Sequence, residues 1–205
     1  MSRNADLEAA ILENRDAREP YEVYADWLLR EGDSHGELIH VQLGLETHPS
    51  PELLAREAEL LREHGIAGGE IEARWRRGFL DRVAIRGGYQ DELAADTYRQ
   101  VAALPSAALL RELELGVGVF HYSWDAPDDL SLLDALREMP LPIQKLRFAA
   151  HDNQLSWTRM GALARAELHA VEELELECGR FAIGAVDMPR LRSLTLVTGG
   201  MPAHV

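Results

Sequence analysis

Leu80-Asp-Arg-Val-Ala-Ile85, Leu110-Arg-Glu-Leu-Glu-Leu115, Ile143-Gln-Lys-Leu-Arg-Phe148, Val171-Glu-Glu-Leu-Glu-Leu176 and Leu191-Arg-Ser-Leu-Thr-Leu196 repeat one pattern. An aliphatic or aromatic residue stands at the first, fourth and sixth place of each. The fourth and sixth places alternate with residues that are mostly charged or polar, which is the period of a strand with one buried face. The five hexads begin at 80, 110, 143, 171 and 191, so they lie 30, 33, 28 and 20 residues apart. Between them the spacing predicts helices over 90–104, over 129–137 after Asp128-Asp129 caps, and over 157–169 after Ser156. The last interval holds only a turn. Pro105, Pro140, Pro142 and Pro189 each precede a strand, where proline ends the incoming element.

A strand, a crossover of this length and another strand imply a parallel sheet, because the chain has room to return and start again in the same direction. One apolar repeat face is too small to hide alone, so the repeats stack. The expected fold is α/β: a helical N-terminal cap over 1–78, then a short, irregular leucine-rich-repeat-like solenoid over 79–205.

The first 78 residues read as helices. Leu7, Ala10 and Ile11 form a stripe after an Asn4 or Asp6 cap, and Pro20 suits the first turn of a second helix. That helix carries Tyr21, Tyr24, Trp27 and Leu28 on one face and stops at Gly32. Ser34 and Glu37 have capping-box spacing ahead of Leu38, Val41, Gln42 and Leu45. Ser50-Pro51 opens a fourth helix with Leu54, Ala58 and Leu61 inward. The run Arg74-Trp75-Arg76-Arg77 reads as a helix end, where arginine suits the negative end of the dipole.

Composition narrows the function classes. The chain has 205 residues, 46% hydrophobic, with 35 acids against 21 bases and a net charge of −14. Such a surface repels nucleic acid and anionic lipid and favours a basic protein partner. Residues 1–78 hold 17 acids and nine bases, so the arginine cluster sits in an acidic field. No apolar run is long enough to span a membrane, and Met1-Ser-Arg-Asn-Ala-Asp-Leu7 lacks a signal-peptide core; a cytoplasmic location is expected. Cys178 is the single cysteine and reads as a packing residue.

Tyr21-Glu-Val-Tyr-Ala-Asp-Trp-Leu28, Gly32-Asp33 and Gly36-Glu-Leu-Ile39 continuing to Gln42 resemble the bacterial repeat-companion domain, a helical module often encoded ahead of leucine-rich-like repeats. Trp75-Arg-Arg-Gly-Phe79 is similar to the junction before the first repeat strand. The resemblance implies an architecture and no catalytic residues. The repeats depart from the leucine-rich consensus in length. They also hold Gly88, Gly118, His151, Gly179 and Gly199 where Asn or Cys would build a buried amide ladder.

The residues pointing away from the core are the candidate partner-binding face: Arg82 and Arg86, Glu112 and Glu114, Lys145 and Arg147, Glu173, Glu175 and Glu177, then Ser193 and Thr195. Their sign alternates between strands, which predicts either an internal charge ladder or a docking surface, or one serving as both. Asp26 is expected to brace the Gly32-Asp33 turn or to face a partner. None of the eight histidines has zinc-site spacing, Asp125, Asp128 and Asp129 lack the pattern of a calcium loop, and no serine elbow or phosphate-binding glycine loop occurs. No catalytic, cofactor or metal residue is therefore assigned. The expected function is a non-enzymatic protein-interaction module, one form being an inhibitor or immunity-type protein that masks a basic effector. The alternatives are a hydrolase or metal enzyme built from distant residues, and a self-associating module. The chain is expected to be a monomer or a weak homodimer paired through the edge strand 191–196.

Overall fold

In the computed structural model, residues 3–66, 71–86, 91–117, 131–150, 168–177 and 188–197 are described. Four helices come first: α1 (Ala5–Glu13), α2 (Glu19–Arg30), α3 (His35–Thr47) and α4 (Pro51–His64). They lead into β1 (Ile71–Arg76), β2 (Phe79–Arg86), α5 (Asp91–Ala102), a 3-10 turn (Pro105–Leu109), β3 (Glu112–Val117), α6 (Ser131–Glu138), β4 (Lys145–Ala150), β5 (Glu173–Glu177) and β6 (Ser193–Val197). The six strands form one mixed α/β sheet in sequence order, antiparallel at β1–β2 and parallel from β2 to β6.

The five hexads lie in register. Val83, Leu113, Leu146, Leu174 and Leu194 stand side by side, and so do Ile85, Leu115, Phe148, Leu176 and Leu196. The first four residues of each row are buried against Ala95, Tyr98 and Val101 of α5 and Leu132, Ala135 and Leu136 of α6. The second place of each hexad does further work. The carbonyls of Arg111, Gln144 and Glu172 each accept two backbone N–H groups from the next strand's approach, at 2.8–3.0 Å. That unit recurs at the three parallel steps from β3 to β6 even though the intervals in sequence are uneven, and at β2–β3 the Asp81 carbonyl accepts from Arg111 N at 3.2 Å.

Two expectations are corrected at the start of the sheet. Residues 71–76 are strand β1, not the end of a helix, so the sheet begins before position 78. Arg76 and Phe79 pair across a two-residue loop in which Arg77 (φ 50°) and Gly78 (φ 82°) both take positive φ. This is the loop whose twist matches paired strands, usually signalled by Asn-Gly; Arg-Gly hides it.

The loop is held from the helical side. Gly78 N donates to Gln42 Oε1 at 2.6 Å, and its carbonyl lies 2.6 Å from His35 Nε2, so α3 satisfies both of its buried backbone groups. A Cβ at Gly78 would stand 2.2 Å from Ile39 Cγ1. The buried Arg77 guanidinium pairs with Glu46 through two contacts (2.8 and 3.0 Å) and donates to the carbonyls of Asp16 and Ala17, with its centre 5.1 Å from the Tyr21 ring. Burial in turn pushes the Tyr21 hydroxyl's pKa up.

The helices bear out most of the periodicity. Asn4 caps α1 by accepting from Leu7 N, and Tyr21, Tyr24 and Leu28 are buried with Ile39, Leu43 and Phe79. The fourth helix turns differently: Leu60 is buried and Leu53 and Leu61 pack beside it, whereas Leu54 and Ala58 face out. Leu53 shares a helix face with Leu60, seven residues on, and that face is the one packed against Leu38 and Val41 of α3. No capping box forms at Ser34 and Glu37. Asp33 Oδ1 accepts from His35 N instead, while Ser34 Oγ donates to Glu63 and Glu37 takes two contacts of 2.7 Å from Arg56, tying α3 to α4. Of the predicted helix over 157–169, residues 157–167 lie outside the described residues and Leu168-His169 belong to a turn; the Asp128-Asp129 caps, Cys178 and the five turn positions from Gly88 to Gly199 also lie outside the described residues. No described helix is long and apolar enough to cross a membrane.

Candidate functional site

The strands' register fixes the face opposite α5 and α6. One row runs Arg82, Glu112, Lys145, Glu173, Ser193; the next runs Ala84, Glu114, Arg147, Glu175, Thr195; a third runs Arg86, Gly116, Ala149, Glu177, Val197. Neighbouring strands stand ~4.8 Å apart, so opposite charges meet directly.

Ion pairs run along the middle row from Glu114 to Glu175, with Arg82 of the first row joining at the β2 end. Arg82 donates to Glu114 at 2.6 Å, Arg147 lies 3.7 Å from Glu114, and Arg147 Nε stands 3.2 Å from Glu175. Lys145 reaches Glu173 at 3.5 Å. Arg86 turns the other way, to Glu72 of β1 at 2.8 Å. Glu112 meets Arg74 at 3.5 Å and Arg111 at 3.9 Å. Glu177 has its register place beside Val197, and Thr195 stands next to Glu175 with no charge of its own. The structure thus brings the predicted residues onto one sheet and pairs most of them with each other. A shallow depression of about 130 Å³ lies among Arg82, Glu112, Glu114, Lys145, Arg147 and Glu175.

A second set of charges was missed in the sequence. Asp81, buried at the second hexad place, accepts from Arg74 at 2.6 Å and lies 3.4 Å from Arg111; Arg192 meets Glu172 at 3.3 Å in the same manner. The Asp81 contact raises the Arg74 pKa. The signal was available: the second place reads Asp, Arg, Gln, Glu, Arg down the five hexads.

Other candidates resolve into structural uses. Asp26 bonds His40 Nε2 at 3.0 Å across α2 and α3 and does not brace the Gly32-Asp33 turn. Gly32 itself ends α2 at φ 76°. Among the described residues no three His, Cys, Asp or Glu side chains converge to hold a metal. A mainly apolar groove of about 390 Å³ runs between α1 and the strand approaches, lined by Leu12, Leu136, Leu141, Ile143 and Val171; its charged residues Arg3 and Glu8 are joined to each other. No protein family, curated protein or solved structure matches this chain.

Proposed function

We propose that the chain is a non-enzymatic protein-interaction module: a helical repeat-companion unit followed by a short leucine-rich-like solenoid, binding a basic protein across the charged face. The observation that carries this reading is the imbalance at the β5 side. Among the described residues Glu173 and Glu175 have cations only towards β4, while β6 offers Ser193 and Thr195. Glu173 remains 57% exposed at its side chain, and the whole chain carries −14. The paired charges nearer β2 keep the face open and soluble, and the acids at its far side attract. Such attraction acts over ~8–10 Å at physiological salt and sets orientation and on-rate.

Affinity purification with the wild-type chain and with Glu173→Lys, at ~50 mM and ~500 mM salt, tests this. A basic protein is expected on the wild type at low salt, weakened by high salt and by the charge reversal. A partner held equally by the variant would remove the face from the reading.

A further inference from the structure

The charge alternation along the sheet runs plus, minus, plus, minus and then stops. Down the first row the order is Arg82, Glu112, Lys145, Glu173 and then Ser193; down the second, Glu114, Arg147, Glu175 and then Thr195. On the other side of the sheet the rows also change at β6. Leu194 and Leu196 are 42% and 41% exposed, where Val83 and Ile85 in the same rows are 0% and 1%. Among the described residues β6 pairs with β5 alone, so one backbone edge carries donors and acceptors with no strand beside it.

Resting on the reading that the partner is basic, we propose that β6 accepts an added strand from that partner. The incoming segment is extended, with Lys or Arg at alternate positions on the charged face and aliphatic residues between them over Leu194 and Leu196. Strand addition of this kind draws affinity from main-chain hydrogen bonds and specificity from alternate side chains. The incoming cations would lie two strand spacings from Glu173 and Glu175, about 10 Å. A long basic stem leaning over the small Ser193 and Thr195 and a glutamate reaching towards it cover that gap together. They also restore the interrupted alternation. A second copy of this chain fits less well. Antiparallel pairing of β6 with itself would bring together two molecules of −14 and add no cation opposite the Glu173 and Glu175 rows.

The test uses the full chain and a short peptide alternating Lys with Val, against a control of equal composition with the lysines and valines in separate blocks. The alternating peptide is expected to bind and to slow hydrogen exchange at the amides of 193–197. Thr195→Arg places a cation beside Glu175, in the position the partner would serve, so it should lower peptide affinity about tenfold while leaving the melting temperature unchanged or higher. Equal binding of the control peptide, binding without protection of β6, or indifference to Thr195→Arg would each overturn strand addition. So would β6 amides protected without peptide in a species of doubled mass. If a basic protein is captured through the charged face but the peptide leaves β6 unprotected, the interaction reading stands and the added strand falls; if neither binds, both fall.

Discussion

The two ends of the sheet are built from the same residue types and finished in opposite ways. At the β1 end an antiparallel hairpin covers the edge of β2, its loop is clamped by His35, Gln42 and Glu46 of α3, and Phe79 is buried among Tyr21, Tyr24 and Leu43. At the β6 end the hexad Leu191–Leu196 repeats the pattern of Leu80–Ile85, yet only Leu191 packs against the core while Leu194 and Leu196 stay two-fifths exposed. A repeat sets which side of a strand is apolar; whether that side is buried depends on what lies next to it. Among the described residues the β1 end is tied to the helices through its loop, although β1 is itself the edge strand there, while Leu194 and Leu196 of β6 stay exposed.

The β1 end breaks most easily at Gly78. Alanine there combines a positive φ, at about 1–2 kcal/mol, with a Cβ 2.2 Å from Ile39 Cγ1 and 3.2 Å from its Cα. Hydrogen bonds to Gln42 and His35 prevent the loop from backing away. Gly78→Ala should cost about 3–5 kcal/mol, read by denaturant unfolding. In a double-mutant cycle Ile39→Ala, which removes the Cγ1 that the new Cβ would strike, should couple favourably with it by about 1 kcal/mol. A Gly78→Ala protein within about 1 kcal/mol of wild type would mean that the loop is not locked.

Equivalent leucines one strand apart measure the contrast directly. Leu176, 1% exposed, and Leu196, 41% exposed, occupy the same hexad place and pair with each other across β5 and β6. Leu176→Ala should cost about 2–4 kcal/mol and Leu196→Ala no more than about 1 kcal/mol. Equal losses in two unfolding curves would show that Leu196 is as covered in solution as Leu176, and the contrast would disappear.

These two ends also mark what the sequence could and could not show. Aliphatic spacing was enough to locate five strands, their common direction and their register, because a period of two leaves one way to bury each hexad. Tyr21, Tyr24 and Leu28 were legible through the helical period instead, which sets them on one face of α2. The hairpin was not: Ile71-Glu-Ala-Arg-Trp-Arg76 alternates apolar with charged residues as a strand does, but the crowding of arginines reads equally as a helix end, and Arg77-Gly78 lacks the usual turn signature. Its clamp is assembled from Asp16, Glu46 and His35, each far from it in sequence. On the charged face sign alternation was visible, and the second hexad places signalled Asp81 with Arg111, but Arg74 joins Asp81 only through the β1–β2 pairing.

The clamp also ties the stability of the β1 end to pH through His35. His35 is buried against Gly78, with His64 5.6 Å away ring to ring and Asp33 at its own N–H. Burial, aided by repulsion from His64, holds its pKa below the ordinary imidazole value of 6.5, against the opposing pull of the Gly78 carbonyl and Asp33. The unfolded chain therefore takes up a proton at this residue first, and folding stability declines as pH falls below 6.5 towards the folded-state value. Chemical denaturation across that window should show the decline, and His35→Gln, which keeps an N–H in the side chain, should flatten it. An unchanged slope in the variant would assign the decline to other groups.

The smallest expected difference lies within the ladder. Glu114 has a cation on both sides, Arg82 at 2.6 Å and Arg147 at 3.7 Å, and its side chain is 15% exposed. Glu175 has Arg147 at 3.2 Å on one side and Thr195 on the other, at 26% exposure. Their partners are more than a third exposed or nearly so, which holds the electrostatic gain to a fraction of its value in a dry interior. Glu114→Gln should cost about 0.5–1 kcal/mol and Glu175→Gln about half of that, both shrinking in ~0.5 M salt. The ranking matters more than either number. A ladder that continued past β5 would give Glu175 the same two-sided support as Glu114, so equal losses at low salt would mean that the alternation does not end at β6.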